Sequence, residues 1–234
     1  MNAAYAQVRQ RIDIAARHAG HPTRLLAVSK TKTAREIRDL AALGQQAFAE
    51  NYVQEALAKQ TQLADLDLEW HMIGPLQSNK CRAVAERFDW LQSLDREKLV
   101  GALARQRPQN LPRLNVLIQV NIDDEATKSG CSPDAVAALA TAVAAAPNLR
   151  LRGLMSIPAG SADREKRRDA FRRMRELFDR LSKDYPTIDT LSMGMSDDFE
   201  LAIAEGATLV RIGSAIFGAR APKAVESSGL ERPK

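Results

Sequence analysis

The sequence predicts an α/β fold, a single (β/α)8 (TIM) barrel preceded by one extra helix. Eight short apolar runs of strand character alternate with eight helical segments, which is the repeat of such a barrel. The connections are short and no shift of composition marks a boundary, so residues 1–234 are expected to form one domain. A doubly wound open sheet is the alternative, but no Gly-x-Gly-x-x-Gly motif follows an early strand.

The first half of the chain predicts the leading helix and four strand–helix units. An amphipathic helix is expected over residues 3–17. Residues 25–28 form a buried strand that continues to Lys30, and Thr33 with Glu36 forms the capping box of the next helix. Further strands are predicted over residues 47–50, 68–73 and 90–94, with helices over residues 34–43 and 53–63 and two more that begin at the caps Ser78 and Asp95 and run to residues 88 and 106.

The second half of the chain predicts four more units. The fifth strand, residues 114–121, is rich in Val and Ile and precedes the polar loop 123–130. Ser132 and Pro133 begin the next helix as its cap and its first position. Strands over residues 149–154, 190–192 and 208–212 and helices over residues 164–181 and 199–205 follow, and Gly213 with Ser214 begins a last short helix.

The composition is that of a globular chain with a full core. It is 45% hydrophobic and 27% charged, and no run of about 18 apolar residues predicts a membrane span. The first ten residues contain no apolar signal core, which favours a cytoplasmic location. Cys81 and Cys131 match no metal or redox spacing, and the three histidines form no ligand pattern, so we expect reduced thiols and no metal site.

The net charge of +5 conceals two basic regions, residues 164–175 and a tail over about 220–234 that we expect to be flexible. A nucleic-acid surface is one interpretation of these bases. A solvated helix face is favoured instead, because acidic residues are interspersed and no aromatic series accompanies the bases. No exposed apolar helix stripe stands out, so a monomer is expected.

The first candidate functional residue is Lys30. Side chains alternate along a strand, so Leu26, Val28 and Lys30 share the face opposite Leu25 and Ala27. An amine held at the mouth of an apolar strand is favoured in its neutral form, which attacks carbonyl carbons. The alternative is a lysine that simply reaches water.

Two segments near the end of the chain suggest a phosphate site. The loop Met193-Gly-Met-Ser196 carries a glycine beside hydroxyl groups, and Gly213-Ser214 opens a helix whose N–H groups favour an anion. Such barrels commonly hold phosphate after strands seven and eight. Each segment alone could instead be an ordinary helix cap or turn. Their occurrence together, after two neighbouring strands, indicates a phosphate site more strongly than either segment does by itself.

Arg211 shares its strand face with Leu209 and Gly213, so its guanidinium needs an acceptor inside the barrel. An ion pair with Glu50 would supply one; a ligand atom is the alternative. A lysine amine, a phosphate site and an arginine together suggest pyridoxal 5′-phosphate (PLP), with the arginine at the ring nitrogen. A permanent cation there disfavours ring protonation and makes the ring a poor electron sink, so the residues predict a holder of the aldehyde more clearly than a catalyst.

At these positions the chain resembles the pyridoxal 5′-phosphate homeostasis protein family, also called the proline synthase co-transcribed homologue family. The resemblance extends over nearly the whole chain. The matching segments are Ala27-Val-Ser-Lys-Thr-Lys32, Glu50-Asn-Tyr-Val-Gln-Glu55, Trp70-His-Met-Ile-Gly-Pro-Leu-Gln-Ser-Asn-Lys80, residues 121–130, Leu151-Arg-Gly-Leu-Met155, Leu191-Ser-Met-Gly-Met-Ser-Asp-Asp198 and Val210-Arg-Ile-Gly-Ser-Ala-Ile-Phe-Gly-Ala-Arg220.

The resemblance implies a barrel similar to the alanine racemase N-terminal domain, with PLP bound as a Schiff base on Lys30. It implies a non-catalytic protein that takes part in PLP homeostasis and passes PLP to PLP-dependent apo-enzymes. A racemase of low activity, a Schiff-base lyase or aldolase and a nucleic-acid-binding module remain the alternatives. The residues expected around the cofactor are Lys30, Asn51, Met155, Ser192, Gly194, Met195, Arg211, Gly213 and Ser214, to which we add His71 in strand three; Lys32 and Lys128 are either secondary amines or solvated loop lysines.

Overall fold

A computed structural model describes residues 1–125, 128–159 and 163–218. Its eight strands are all parallel and form a closed barrel in chain order, in which β1 pairs with both β2 and β8. The predicted fold class is confirmed. The predicted flexible tail and part of the loop 123–130 lie outside the described residues.

The elements follow the predicted order, and most bounds agree within a few residues. The strands are β1 Arg24–Val28, β2 Ala47–Glu50, β3 Glu69–Met72, β4 Trp90–Leu94, β5 Leu114–Val120, β6 Leu149–Ser156, β7 Thr190–Ser192 and β8 Leu209–Ile212. The helices are α1 Asn2–Ala19, α2 Ala34–Ala41, α3 Val53–Gln62, α4 Cys81–Arg87, α5 Glu97–Gln106, α6 Val136–Ala144, α7 Arg164–Asp184, α8 Phe199–Ala204 and α9 Ser214–Phe217. Over the described ranges, no helix combines the length and the apolar character needed to cross a bilayer.

The leading helix α1 covers one side of the barrel. It buries Tyr5, Val8 and Ile12, and its Arg11 forms an ion pair with Glu200 of α8. Gly20 ends the helix with a φ of 74°, a left-handed conformation that glycine adopts without steric cost. The helix is therefore held by an apolar face and by a surface contact to the last third of the chain.

Strand β1 confirms the predicted alternation of faces. Leu25 and Ala27 join the large core between the strands and the surrounding helices. Leu26 packs inside the barrel with Ala47 and Leu209, and Val28 packs against the same cluster. The inner face of β1 therefore leads directly toward Lys30, at the carboxyl end of the barrel.

Four local predictions at element ends differ from the structure. Strand β1 ends at Val28 rather than at Lys30, which lies in the turn that follows. A 3-10 turn over Ser78–Lys80 precedes α4, and another over Pro133–Ala135 precedes α6. Asp95 does not cap α5, because its carboxylate accepts a hydrogen bond from Arg96, the N-cap residue. The capping box of Thr33 and Glu36 is present as predicted.

Candidate functional site

A cavity of about 310 Å³ opens at the carboxyl ends of β1 and β8. Its volume lies in the range of small-ligand pockets. Five of the predicted site residues line it, namely Lys30, Met195, Arg211, Gly213 and Ser214; the other lining residues are Val28, Thr31, Lys32, Ser196, Asp197 and Gly218.

Lys30 lies in a tight turn just beyond β1. The strand pairing continues for one residue, because Ser29 N donates to Ala49 O at 2.9 Å, and the turn closes where Lys32 N donates to Ser29 O at 3.0 Å. Thr31 has a φ of 66°, a left-handed conformation that is unfavourable for a residue with a branched side chain. Lys30 is half-buried and is placed by this strained turn rather than by the strand itself.

A buried ionic cluster lies behind the Lys30 turn. The Lys59 ammonium, on α3, donates to Ser29 O, to Glu50 Oε1 and to Glu55 Oε1, each at 2.7 Å. Glu55 Oε1 also accepts the backbone N–H of Thr31 at 2.5 Å. Lys59 thus connects the end of β1, the end of β2 and the first turn of α3, and it supports the strained residue next to Lys30.

Glu50 belongs to this cluster and not to Arg211. Its carboxylate is fully buried and accepts the Ser29 hydroxyl at 2.6 Å as well as the Lys59 ammonium. The expected alternative of a Glu50–Arg211 ion pair is therefore wrong, because Glu50 follows the outer face of β2. Burial raises the pKa of Glu50 above its usual value, and the hydrogen bonds from Lys59 and Ser29 offset only part of that rise.

Arg211 is almost completely buried at the floor of the cavity. Its Nη1 donates to Ser192 Oγ and its Nη2 to Ser156 O, both at 2.8 Å. These bonds use two of the five N–H donors of a guanidinium. Burial lowers the pKa of Arg211 to about 10, so the group remains a cation at neutral pH.

The loop after β7 and the start of α9 form one wall of the cavity. Ser214 and Ser196 face each other, with their hydroxyl oxygens 3.0 Å apart. Met195 N is held by Asp198 Oδ1 at 2.7 Å, and the Lys32 ammonium donates to Phe217 O at 3.2 Å. Two hydroxyls at a helix start, beside two lysines and an arginine, are a donor set that suits a phosphate.

Asn51 provides an unused acceptor at the end of β2. Its Oδ1 is buried and has no hydrogen-bond partner within the described part of the chain. Gly74 packs directly on the Asn51 backbone, since a Cβ at position 74 would lie 2.1 Å from the backbone carbonyl oxygen of Asn51. A buried amide oxygen of this kind calls for a donor from a ligand or a water.

These residues fit PLP group by group. PLP presents an aldehyde, a ring hydroxyl, a ring nitrogen and a phosphate. The Lys30 amine, the Asn51 amide oxygen, the Arg211 guanidinium and the serine hydroxyls are chemically matched to those groups in that order. The match concerns the kinds of side chain that the barrel end brings together.

Four predicted site residues lie beneath or behind the cavity. Met155 packs with Trp90 and Leu117 inside the barrel. Gly194, with a φ of 90°, faces α8, because a Cβ there would lie 2.5 Å from the Ala202 methyl group. The last two, His71 and Ser192, are fully buried in the barrel interior, where both side chains are hydrogen-bonded to Gln92.

The candidate secondary amines are both engaged in the structure. Lys32 lines the cavity and is held at Phe217 O and near Glu36 at 3.5 Å. Lys128 forms an ion pair with Glu125 at 3.0 Å. Their roles in loading or release of a ligand stay predictions.

Sequence reasoning did not single out Gln92 or Lys59. Gln92 interrupts the run Trp90–Leu94, in which every residue is buried. Lys59 is a buried lysine in a helix of mixed polar and apolar residues. A polar residue inside a buried strand was the available signal for Gln92. Nothing local distinguished Lys59 from a solvated helix lysine.

A larger cavity of about 520 Å³ lies between α7 and the loops that follow β5 and β6. Its wall includes Arg173, whose guanidinium already pairs with Asp123 and Asp169 at 2.9 Å each. Those side chains satisfy one another, so this cavity offers a weaker case for a ligand than the smaller one at the ends of β1 and β8.

The chain matches the family described as alanine racemase, N-terminal domain, over residues 4–221. A pyridoxal phosphate homeostasis protein from Pseudomonas aeruginosa is 56% identical over 218 residues, covering 92% of this chain and 94% of the relative. The protein of the same name from Escherichia coli K12 is 53% identical over 221 residues, covering 92% and 94%. The solved structure of PipY from Synechococcus elongatus PCC7942 with PLP bound has a TM-score of 0.81 at 35% identity, covering 92% of this chain and 99% of PipY.

These matches extend over nearly the whole chain and agree with the closed parallel barrel. Because more than half of its residues are identical to those of two relatives with this name, the chain belongs to the pyridoxal phosphate homeostasis protein family.

Proposed function

We propose that this protein binds PLP as a Schiff base on Lys30 and takes part in PLP homeostasis, delivering PLP to PLP-dependent apo-enzymes. The observation that carries the proposal is the convergence of Lys30 and Arg211 on one cavity at the carboxyl end of the barrel. The names of the relatives and the PLP-bound PipY structure support the choice of ligand.

Within this proposal each of the expected residues has a place. Lys30 bonds the aldehyde carbon, the Asn51 amide oxygen accepts a hydrogen bond from the ring hydroxyl, and Arg211 faces the ring nitrogen. Gly213 and Ser214 hold the phosphate, and Met195 borders the same cavity. Four further predicted residues support that site from below or behind: His71, Met155, Ser192 and Gly194.

The charge of Arg211 supports a binding role without catalysis. A buried cation at the ring nitrogen disfavours protonation of that nitrogen, so bound PLP withdraws electrons weakly from an attached amino acid. Tyr52, which follows β2, is 63% exposed and therefore provides no enclosed acid or base beside Lys30. A slow amino-acid racemase is the second candidate function, favoured by the match to the alanine racemase N-terminal domain.

The proposal includes three further expectations. The barrel forms one domain and acts as a monomer, and the protein works in the cytoplasm. Buried, unpaired Cys81 and Cys131 are consistent with a reducing compartment. Transfer to an apo-enzyme is expected to require release of the Lys30 bond, which the accessible mouth of the cavity permits.

Borohydride reduction of the PLP-loaded protein tests the Lys30 assignment. The reduced adduct should map to Lys30 by peptide mass spectrometry, and Lys30→Ala should lose both the adduct and the visible absorbance. Lys98→Ala, which removes an exposed lysine from α5, is the control and should retain both. An adduct on another side chain would contradict the assignment, and steady racemisation that depends on Lys30 would favour the second candidate.

A further inference from the structure

A continuous chain of hydrogen bonds crosses the barrel interior below the cavity. It starts at Arg211 and ends at Glu69, near the amino-terminal end of the barrel. The successive distances are 2.8 Å from Arg211 Nη1 to Ser192 Oγ, 2.7 Å from Ser192 Oγ to Gln92 Oε1, 2.9 Å from Gln92 Nε2 to His71 Nδ1 and 2.7 Å from His71 Nε2 to Glu69 Oε1. Arg24 also donates to Glu69 Oε1 at 2.8 Å.

The chemistry of the two ends determines the direction of every bond in this chain. Arg211 can only donate, so Ser192 accepts from it and donates its own proton to Gln92. The amide nitrogen of Gln92 then donates to His71 Nδ1, and His71 Nε2 donates to the Glu69 carboxylate. His71 is therefore a neutral imidazole with its proton on Nε2, which agrees with the lowering of its pKa by burial.

The chain passes between two apolar clusters of the barrel interior. One side is the cluster of Leu26, Ala47, Ala49 and Leu209, and the other is the cluster of Trp90, Leu117 and Met155. His71 stacks on Trp90 with ring centroids 5.1 Å apart and planes at 9°. Ser192, Gln92 and His71 have no measurable exposure, so their polar atoms depend on one another.

Arg211 needs this arrangement because no carboxylate of the described residues lies within salt-bridge distance of its guanidinium. Its bonded partners are a hydroxyl and a carbonyl, which are neutral. Each residue of the chain presents its acceptor atom toward Arg211 and donates its own hydrogen bond away from it, and the chain ends on the Glu69 carboxylate. Aligned bonds of this kind stabilise a buried cation and hold its orientation.

We propose that Ser192, Gln92, His71 and Glu69 form a positioning chain that holds the Arg211 cation toward the ring nitrogen of bound PLP and so keeps that nitrogen unprotonated. The inference rests on the proposed function. It assigns to His71 and Ser192 a role below the cofactor instead of contact with it, and it adds Gln92 and Glu69 to the residues that the cofactor depends on.

The test uses the full-length protein loaded with PLP carrying ¹⁵N at the ring nitrogen. Gln92→Met removes the central link at similar volume, and His71→Phe keeps a ring stacked on Trp90 but removes both hydrogen bonds. Trp90→Phe is the matched control, since it alters the same layer of the barrel without removing an atom of the chain. Ser192→Ala, which deletes one hydroxyl, gives the same readout if a larger substitution does not fold.

Wild-type protein and Trp90→Phe should show the ¹⁵N resonance of a neutral pyridine at pH 7. Gln92→Met and His71→Phe should shift it toward that of a pyridinium and should release PLP about tenfold faster, the effect of one misplaced buried hydrogen bond.

Resonances and release rates in Gln92→Met, His71→Phe and Ser192→Ala that equal those of Trp90→Phe would overturn the positioning chain while the proposed function stands. A wild-type protein that takes up no PLP would overturn both.

Discussion

Lys59→Met removes the buried cation shared by three groups behind the Lys30 turn. Lys59 has 7% of its side chain exposed and Glu50 has none, so the variant leaves an unpaired carboxylate in the core. Removing one partner of a buried pair costs about 3–5 kcal/mol, because the remaining charge is desolvated and uncompensated. We expect Lys59→Met to lower the free energy of unfolding by about 3–5 kcal/mol at pH 7.5.

The loss should depend on pH in a defined direction. Burial already raises the pKa of Glu50 in the folded protein, and the variant removes the Lys59 contributions that lower it. A raised folded-state pKa means that the folded form binds the proton more tightly than the unfolded form. The deficit relative to wild type is therefore largest at neutral pH. Below the folded-state pKa of Glu50 in the variant it shrinks by about 1.4 kcal/mol for each further pH unit of acidification, until the pH reaches the folded-state pKa of Glu50 in the wild type.

Urea unfolding followed by the fluorescence of the buried Trp70 and Trp90 measures both effects. Lys59→Met should be compared with wild type at pH 7.5 and pH 5.5, and Lys59→Met with Glu50→Gln should recover most of the loss at pH 7.5. A loss below about 1 kcal/mol, or one that is equal at the two pH values, would refute the reasoning that Glu50 is left as an unpaired buried anion.

Three further changes have defined outcomes. Gly74→Ala places a Cβ 2.1 Å from the Asn51 carbonyl oxygen, so it should lower both the thermal midpoint and the affinity for PLP, measured by calorimetry and absorbance. Thr33→Ala breaks the capping box and should reduce unfolding free energy by about 1 kcal/mol in urea, whereas Thr33→Ser should not. Burial raises the pKa of Glu69, but His71 and Arg24 lower it to about 2, so its contribution to stability is present above about pH 4.5 and is lost as the pH falls toward 2. Acid titration of unfolding should show this loss in wild type and not in Glu69→Gln.

Much of the barrel could be predicted from local patterns. The alternation of Leu26, Val28 and Lys30 correctly predicted which side chains of β1 point into the barrel. The same alternation along β8 correctly predicted that Arg211 points inward, on the same face as Leu209. Strand order could be predicted because strand and helix signals alternate along the whole chain. The Lys30 turn was harder to predict from the sequence, because its left-handed residue is Thr31 and not a glycine, the residue that usually indicates such a turn.

The hydrogen-bond and ion-pair partners that side chains meet across the barrel could not be predicted in the same way. Glu50 was considered as the counter-ion of Arg211, but it pairs with Lys59 on α3. Ser192 is predicted around the cofactor, and its hydroxyl bonds to Gln92, 100 residues earlier in the chain. Residue type and strand face limit what each side chain can do, but they do not specify which distant group it meets.

By itself, therefore, the sequence determined the barrel, the inward faces of its strands and the chemical set of amine, guanidinium and hydroxyls at their carboxyl ends. Only the tertiary structure decided that Lys30 stands on a strained turn supported by Lys59, and that Arg211 is held from below by a chain ending at Glu69. The physical reason is that side-chain periodicity is a local property of the backbone, whereas hydrogen-bond partners and buried charges are chosen by the closure of eight strands into one interior.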